Sequence, residues 1–421
     1  SQSRPTVTRT ADGTMNASNR QAAWFKTVLT APDQLRQRVA FALSELFVVS
    51  DVSIAQPEGL ANYYDLLGND AFGNFRTLLE DVTLSPIMGN YLSSLRNAKA
   101  TATTSPDENY AREVMQLFTI GLNQLQPDGT LKLDNTGLPI PTYDQTTITE
   151  MAKVFTGWAY PSTNANAFRS APANYFAPMQ LFPAFHDTTA KYIVNGVVLP
   201  ANQSGTTDLA QTLDALFNHP NTGPFIARHL IQRLVTSNPS PAYVYRVAQV
   251  FANDGTGTRG NLGAVVRAIL TDYEARSTAM LGNAGYGKLR EPLLRLTNIL
   301  RSFSASSTGG RYTITNPENS LGQAALRSPT VFNFFHPDYV LPGALATNGL
   351  VAPEFEITNA TTTISVPNYL RGFIFFSASS TATTITLNLA AEQTLAATPS
   401  AQVDHLNAVL CGGNLPTATR D

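Results

Sequence analysis

The sequence predicts a mainly α protein, a multi-helical globular bundle with long loops and minor hairpin or strand elements. Three observations carry that expectation. Apolar residues recur at helical spacing through most of the 421 residues. The periodic segments are separated by short connections bearing Asn, Ser, Pro or Gly, which favour neighbouring antiparallel helices. No fixed-period repeat is present, which excludes a regular solenoid.

The elements follow in order. "QAAWFKTVLT" predicts a first amphipathic helix. "APDQLRQRVAFALSELFVVS" predicts a second, with Pro32 at an early helical position and Asp33 in the first turn, where a carboxylate favours the helix dipole. This helix is apolar almost all round, so it should be central and buried. "PEGLANYYDLLGNDAFGNFRTLLEDVTL" reads as two short helices broken at Gly68 and Gly73. "DENYAREVMQLFTIGL", residues 107–122, reads as a helix capped by Ser105, with Pro106 at its first position and Glu108 three residues after the cap. Asp128-Gly129 marks a tight hairpin, and "QTTITEMAKVFTGW" is helical again.

Residues 161–205 lack a period and are rich in Pro, Asn, Ser, Ala and aromatics, so they are expected as a long loop across the body. Five helical segments follow: "TTDLAQTLDALFNH", "TGPFIARHLIQRLVTS", "SPAYVYRVAQVFAND", "NLGAVVRAILTDYEAR" and "KLREPLLRLTNILRSF". Residues 305–355 are loop-rich, "TTITLNLA" is a candidate strand, and "QVDHLNAVL" is a final helix. The chain divides into an N-terminal helical part (1–160), the loop (161–205) and a C-terminal helical part (206–421), expected to form one continuous unit.

Composition narrows the function classes. Charged residues are only 14% of the chain against 43% apolar, with Thr, Ser, Asn, Gln and Ala filling the gap, a profile common in exported bacterial proteins. A net charge of -2 without a basic stripe argues against nucleic acid. The apolar runs are too short to cross a bilayer, and residues 1–20 have no signal-peptide pattern, so an export signal is expected to have been removed. Cys411 is the single cysteine, so there is no internal disulfide and no cysteine cluster for zinc or iron–sulfur. Dinucleotide, Walker, HExxH, GxSxG and EF-hand patterns are all missing.

Several long motifs occur in order: "DQLRQRVAFALSELFVVS", "DENYAREVMQLFTIGL", "TGWAYP", "FHDTTAK", "FNHPNTGPFIARHLIQRLVTSNPSP" and "VFNFFHPDYVLPGALATNGLVAPEF". Over nearly the whole chain they resemble the domain of unknown function 1800 family of bacterial proteins. The resemblance implies a mostly helical, exported protein, with a sulfatase-like protein of the domain of unknown function 1501 family as its expected partner. It implies no defined activity. This chain departs from the family pattern at Phe118, where many members carry a histidine, and at both ends.

Within residues 107–122, helical spacing puts Glu108, Asn109, Arg112, Glu113, Gln116 and Thr119 on one arc. Glu108 and Arg112 suit an ordinary i,i+4 pair. Glu113, between Asn109 and Gln116, suits the floor of a polar cleft and is a candidate general acid or base. Arg38 and Glu45 interrupt the buried second helix, seven residues apart on one side. Buried charges need partners, so Arg38 is expected to face a neighbouring carboxylate, with Glu113 the candidate.

In the long loop, His186 beside Asp187 suits an oriented imidazole, with Lys191 nearby. His219 suits either a helix-capping role or a place in the site. Trp158 and Tyr339 are candidate substrate-lining aromatics. His229 reads as a core histidine, and His336 as part of an aromatic loop.

The expected function is hydrolysis of an extracellular polymer or glycan. Glu113, His186 and Asp187 would be catalytic, and Arg38, Asn109, Trp158, Lys191, His219 and Tyr339 would bind substrate. The alternative is a non-enzymatic cell-surface or matrix scaffold working with the sulfatase-like partner. No metal is assigned; His186, Asp187 and His219 form the weaker metal reading. Convergence of Glu113, His186 and His219 in one pocket would favour the enzyme, and their scatter the scaffold.

Overall fold

The computed structural model describes residues 15–375 and 385–420. The fold is mainly helical. Helices α1 (Ala17–Thr30), α2 (Gln34–Ser44), α3 (Pro57–Asp70), α4 (Phe75–Leu84), α5 (Pro86–Tyr91), α6 (Asn109–Gln116) and α7 (Gln145–Val154) precede the long loop. After it come α8 (Gly205–Asn218), α9 (Thr222–Leu234), α10 (Pro241–Ala252), α11 (Leu262–Thr271), α12 (Tyr273–Arg276) and α13 (Pro292–Ser302). The remaining helices are α14 (Pro317–Leu321), α15 (Ala344–Thr347), α16 (Thr362–Phe375), α17 (Ala390–Leu395), α18 (Pro399–Cys411) and α19 (Thr417–Arg420).

Local chemistry sets many of the helix starts. Asn16, Asn74, Asp144, Ser204, Ser240 and Asn261 each accept a backbone N–H in the first turn of the helix they open, supplying donors left over at a helix start with an acceptor. One apolar core joins these helices, running from Trp24 and Phe47 through Phe75, Phe118, Ile231, Phe251 and Leu296 to Ile385. α2 is central, as expected: Val39, Ala40, Phe41, Ala42 and Leu43 are all buried. Phe118 is a core ring, packed between Phe47 and Tyr110.

Several boundaries differ from expectation. α2 ends at Ser44, so Glu45 is its cap. α3 runs straight through Gly68, and only the turn at Ala71–Asn74 breaks the segment. α6 is shorter than residues 107–122: it begins at Asn109 with no side-chain cap, Asp107 turning the chain instead by accepting the Asn109 N–H. It stops at Gln116, and Gly121 follows in the left-handed region.

The loop at 161–205 contains strands. β1 (Trp158–Ala159) pairs antiparallel with β2 (Gln180–Leu181), and β3 (Lys191–Tyr192) with β4 (Val198–Leu199). Asp128-Gly129 does form a turn, closed by Thr130 donating to Asp128. In "TTITLNLA", β6 (Ile385–Thr386) pairs with β5 (Ser306–Ser307), while residues 383–384 lie outside the described residues.

Candidate functional site

The long-loop candidates lie together, in a lock rather than a cleft. His186, Lys191 and Asp208 are fully buried. His186 Nε2 lies 3.1 Å from Asp208 Oδ2, and its Nδ1 lies 2.9 Å from the Thr156 carbonyl oxygen. Lys191 Nζ donates to the same Asp208 oxygen at 2.7 Å and to the carbonyls of Asp187 and Thr189. The lysine's three donors and both ring nitrogens are therefore engaged. Gly157, with φ +87°, lies against the His186 backbone, and Gly205 leaves room for the imidazole.

Two expectations are corrected here. Asp208, in the first turn of α8, is the carboxylate that holds His186; Asp187 instead accepts from the Thr189 N–H and hydroxyl. Burial pushes the Asp187 carboxyl up, but the Thr189 hydrogen bonds with Lys191 and Lys153 outweigh it and hold it below the usual range. Trp158 is buried in the core as part of β1, with its backbone carbonyl accepting from Arg96.

His219 is far from this lock. It ends the helix that Asp208 begins, and eleven residues at 1.5 Å each put about 16 Å between them along α8. Its Nδ1 accepts the Asn221 N–H. Burial and Lys132 push its pKa down to about 4, so the ring is neutral. The carbonyl at the end of α8 is taken by Arg259, which donates to the Phe217 oxygen. His229 is likewise neutral, pushed down to about 3 by burial, Arg233 and Arg228.

Glu113 has different surroundings. α6 carries it inward, 6% exposed, while Asn109 remains exposed and Glu108 pairs with Arg112 at 3.4 Å. Glu108 also accepts from Gln145 and Thr149 of α7, so this pair ties two helices together. Burial raises the Glu113 carboxyl above the ordinary range against the pull of Arg112. Its Oε2 is buried without a hydrogen-bond partner, as is the Tyr143 hydroxyl. Burial pushes the Tyr143 hydroxyl up to about 12, with the Glu113 charge adding to it. Burial also raises the Tyr91 hydroxyl, with the Glu113 charge adding to the push.

Arg38 does not face Glu113. It donates to the Arg233 carbonyl and belongs to a second buried cluster with Glu45, Arg233, Lys288, Glu291 and Glu354. Gln323 Nε2 bridges the two carboxyls, 2.7 Å from Glu291 Oε2 and 3.4 Å from Glu45 Oε1. A narrow slot lined by Phe41, Ser44, Glu45, Ser328, Asn333 and Phe334 opens beside Glu45. Sequence reasoning flagged Arg38 and Glu45 but missed Glu291 and Glu354. The need for partners was visible; their identity depends on chain crossings that no local pattern encodes.

Tyr339 is half-buried, its carbonyl accepting from Ala352, and His336 beside it is exposed and paired with Glu356 at 3.0 Å. Among the described residues no group of three or more His, Cys, Asp or Glu side chains is placed to hold a metal ion. A cleft of about 840 Å³, lined by Leu35, Phe72, Val250, Arg267 and Leu270, contains none of the sequence candidates.

The family assignment rests on the whole chain, because the model for proteins of unknown function DUF1800 matches residues 6–421. The chain belongs to the DUF1800 family. Searches of curated proteins and of solved structures found no match to it. Among the described residues of this family member, no helix is long and apolar enough to cross a membrane.

Proposed function

We propose that this protein is an exported hydrolase acting on an extracellular polymer or glycan, with Glu113 as its general acid or base. The observation that carries the reading is a buried carboxyl whose Oε2 has no hydrogen-bond partner. Buried polar atoms are nearly always paired, so one left free marks a place where a ligand group can complete the bonding. Burial also raises the carboxyl, toward the range in which a carboxylic acid gives and takes protons near neutrality.

The Tyr91 and Tyr143 hydroxyls lie close enough to feel its charge, and neutral phenols beside a carboxyl suit a neutral, hydroxyl-bearing chain better than a charged one. Glu113, His186 and His219 do not converge in one pocket, which counts toward the scaffold reading. The hydrolase reading rests on Glu113 alone, since the lock engages both His186 ring nitrogens and Asp187 is turned to Thr189. The sparsely charged composition supports export.

The test is a panel of neutral polysaccharides and polyesters, scored for released ends with wild type and Glu113→Gln. Proton transfer by a positioned group contributes about 10²–10⁴-fold, so the variant should lose activity on that scale. A Glu113→Gln protein as active as wild type would refute the assignment. Binding of a polymer without release would favour the scaffold reading. That second reading has its own support, because Leu122, Leu131, Leu133 and Leu138 are exposed on the 122–142 arm, the kind of apolar surface a protein partner such as the sulfatase-like one would cover.

A further inference from the structure

The cleft of about 840 Å³ plays no part in the Glu113 reading. It forms where the first turn of α2, the turn at Ala71–Asn74, α10 and α11 meet, and Leu35, Phe72, Val250 and Leu270 give it an apolar wall. Leu35 is 49% exposed, and the other three are only half-buried, so this apolar surface stays in contact with water. Concave, mostly apolar clefts of roughly 300–1,000 Å³ with a few placed polar groups are the usual form of small-molecule sites.

The polar groups on the wall decide what fits there. The Asp254 carboxylate already accepts from the N–H groups of Thr256 and Thr258, the Thr256 hydroxyl and the Asn261 amide. The Asn261 side-chain oxygen accepts the Ala264 N–H, and the Thr271 hydroxyl donates to the Arg267 carbonyl. Arg36, which stacks over Phe72 at 4.8 Å, donates to the Gly68 and Asn69 carbonyls. Arg267 of α11 is different. Its side chain is exposed on the cleft wall, and among the described residues it has no ion pair, hydrogen bond or ring contact. A guanidinium presents parallel N–H donors in the geometry that a carboxylate matches. The open polar contact of this apolar cleft is therefore a cation.

We infer that the cleft binds a small amphipathic carboxylate, its apolar body against Leu35, Phe72, Val250 and Leu270 and its charged end on Arg267. A neutral apolar ligand would leave the guanidinium unmatched, and a cationic one would meet it as a like charge. The negative charge of Asp254 is already met by its own donors, so it leaves the anion to Arg267. The site stands whether or not Glu113 is catalytic.

Titration calorimetry on the full chain at pH 8 tests it, with octanoate as the probe and 1-octanol as the same tail without the charge. Octanoate should bind saturably, and added salt should weaken it but not octanol. Octanol should bind about three- to tenfold more weakly, the scale of one partly exposed charge pair. Arg267→Gln changes an exposed side chain, so the fold should survive. It should bring octanoate down to the affinity of octanol and leave octanol unchanged. Ala268→Phe, on the cleft wall, should abolish binding of both probes; should it fail to fold, Arg267→Gln still decides. Equal wild-type affinity for the two probes, or octanoate binding unchanged in Arg267→Gln, would overturn the inference. So would binding that never saturates. If the chain then also self-associates in sedimentation and Ala268→Phe prevents it, the occupant is a second copy of the chain instead.

Discussion

The His186–Asp208–Lys191 lock and the Glu113 wall are both buried and polar, yet they are built on opposite principles. In the lock, the lysine donors and both ring nitrogens are engaged, and they tie the long loop to α8. At the wall, a carboxyl oxygen and the Tyr143 hydroxyl are left unmatched, with Tyr91 alongside. A fully satisfied network rigidifies one arrangement, and a partly satisfied one costs stability that only another benefit explains. The contrast teaches that a histidine beside an aspartate in sequence says little. What each polar atom is bonded to says more.

The largest expected effect is at the lock. Asp208→Asn removes the charge that faces both His186 and Lys191, and breaking a buried pair in this way costs about 3–5 kcal/mol, read as a lowered midpoint in denaturant unfolding. If Asp208→Asn unfolds like wild type, the lock is not structural and the comparison fails. Next is Gly157→Ala. Its φ of +87° and the 3.0 Å approach of an added Cβ to the His186 backbone nitrogen predict a loss of about 1–3 kcal/mol for a strained residue.

Smaller effects come from titration. Glu113 has a raised carboxyl, so its contribution to stability is fully present below the unfolded pKa and is lost as pH rises through the folded one. Glu113→Gln should match wild type in acid and exceed it in mild alkali, measured as unfolding midpoint against pH. Asp70 gives a second titration of the same sign. Burial and Asp81 push it up to about 7, so stability should decline as pH rises from about 4 toward 7. Asp70→Asn should flatten that slope. Smallest is Arg112→Ala, which removes a half-exposed pair and should cost a few tenths of a kcal/mol.

Much of the fold was legible because caps and apolar periodicity act over a few residues. Asn16, Ser204, Ser240 and Asn261 open helices by short-range bonds, and α2 reads as buried from its own composition. The short strands of the long loop were not legible, since two-residue pairs leave no alternation to detect. In the site, Glu113 stood out because a carboxylate between the amides of Asn109 and Gln116 suits the floor of a polar cleft. Asp208 did not: it looks like an ordinary first-turn acid of an amphipathic helix. Only the packing of α8 against the loop turns it into the partner of His186. Glu291, just ahead of Pro292, has the same disguise at the start of α13.

The most direct measurement compares unfolding free energies of Glu113→Gln and Asp208→Asn side by side at pH 8. The lock should lose several kcal/mol in Asp208→Asn, while Glu113→Gln should be as stable as wild type or more so. A large loss in Glu113→Gln together with a tolerated Asp208→Asn would contradict the division of this protein into a structural lock and a chemically available wall.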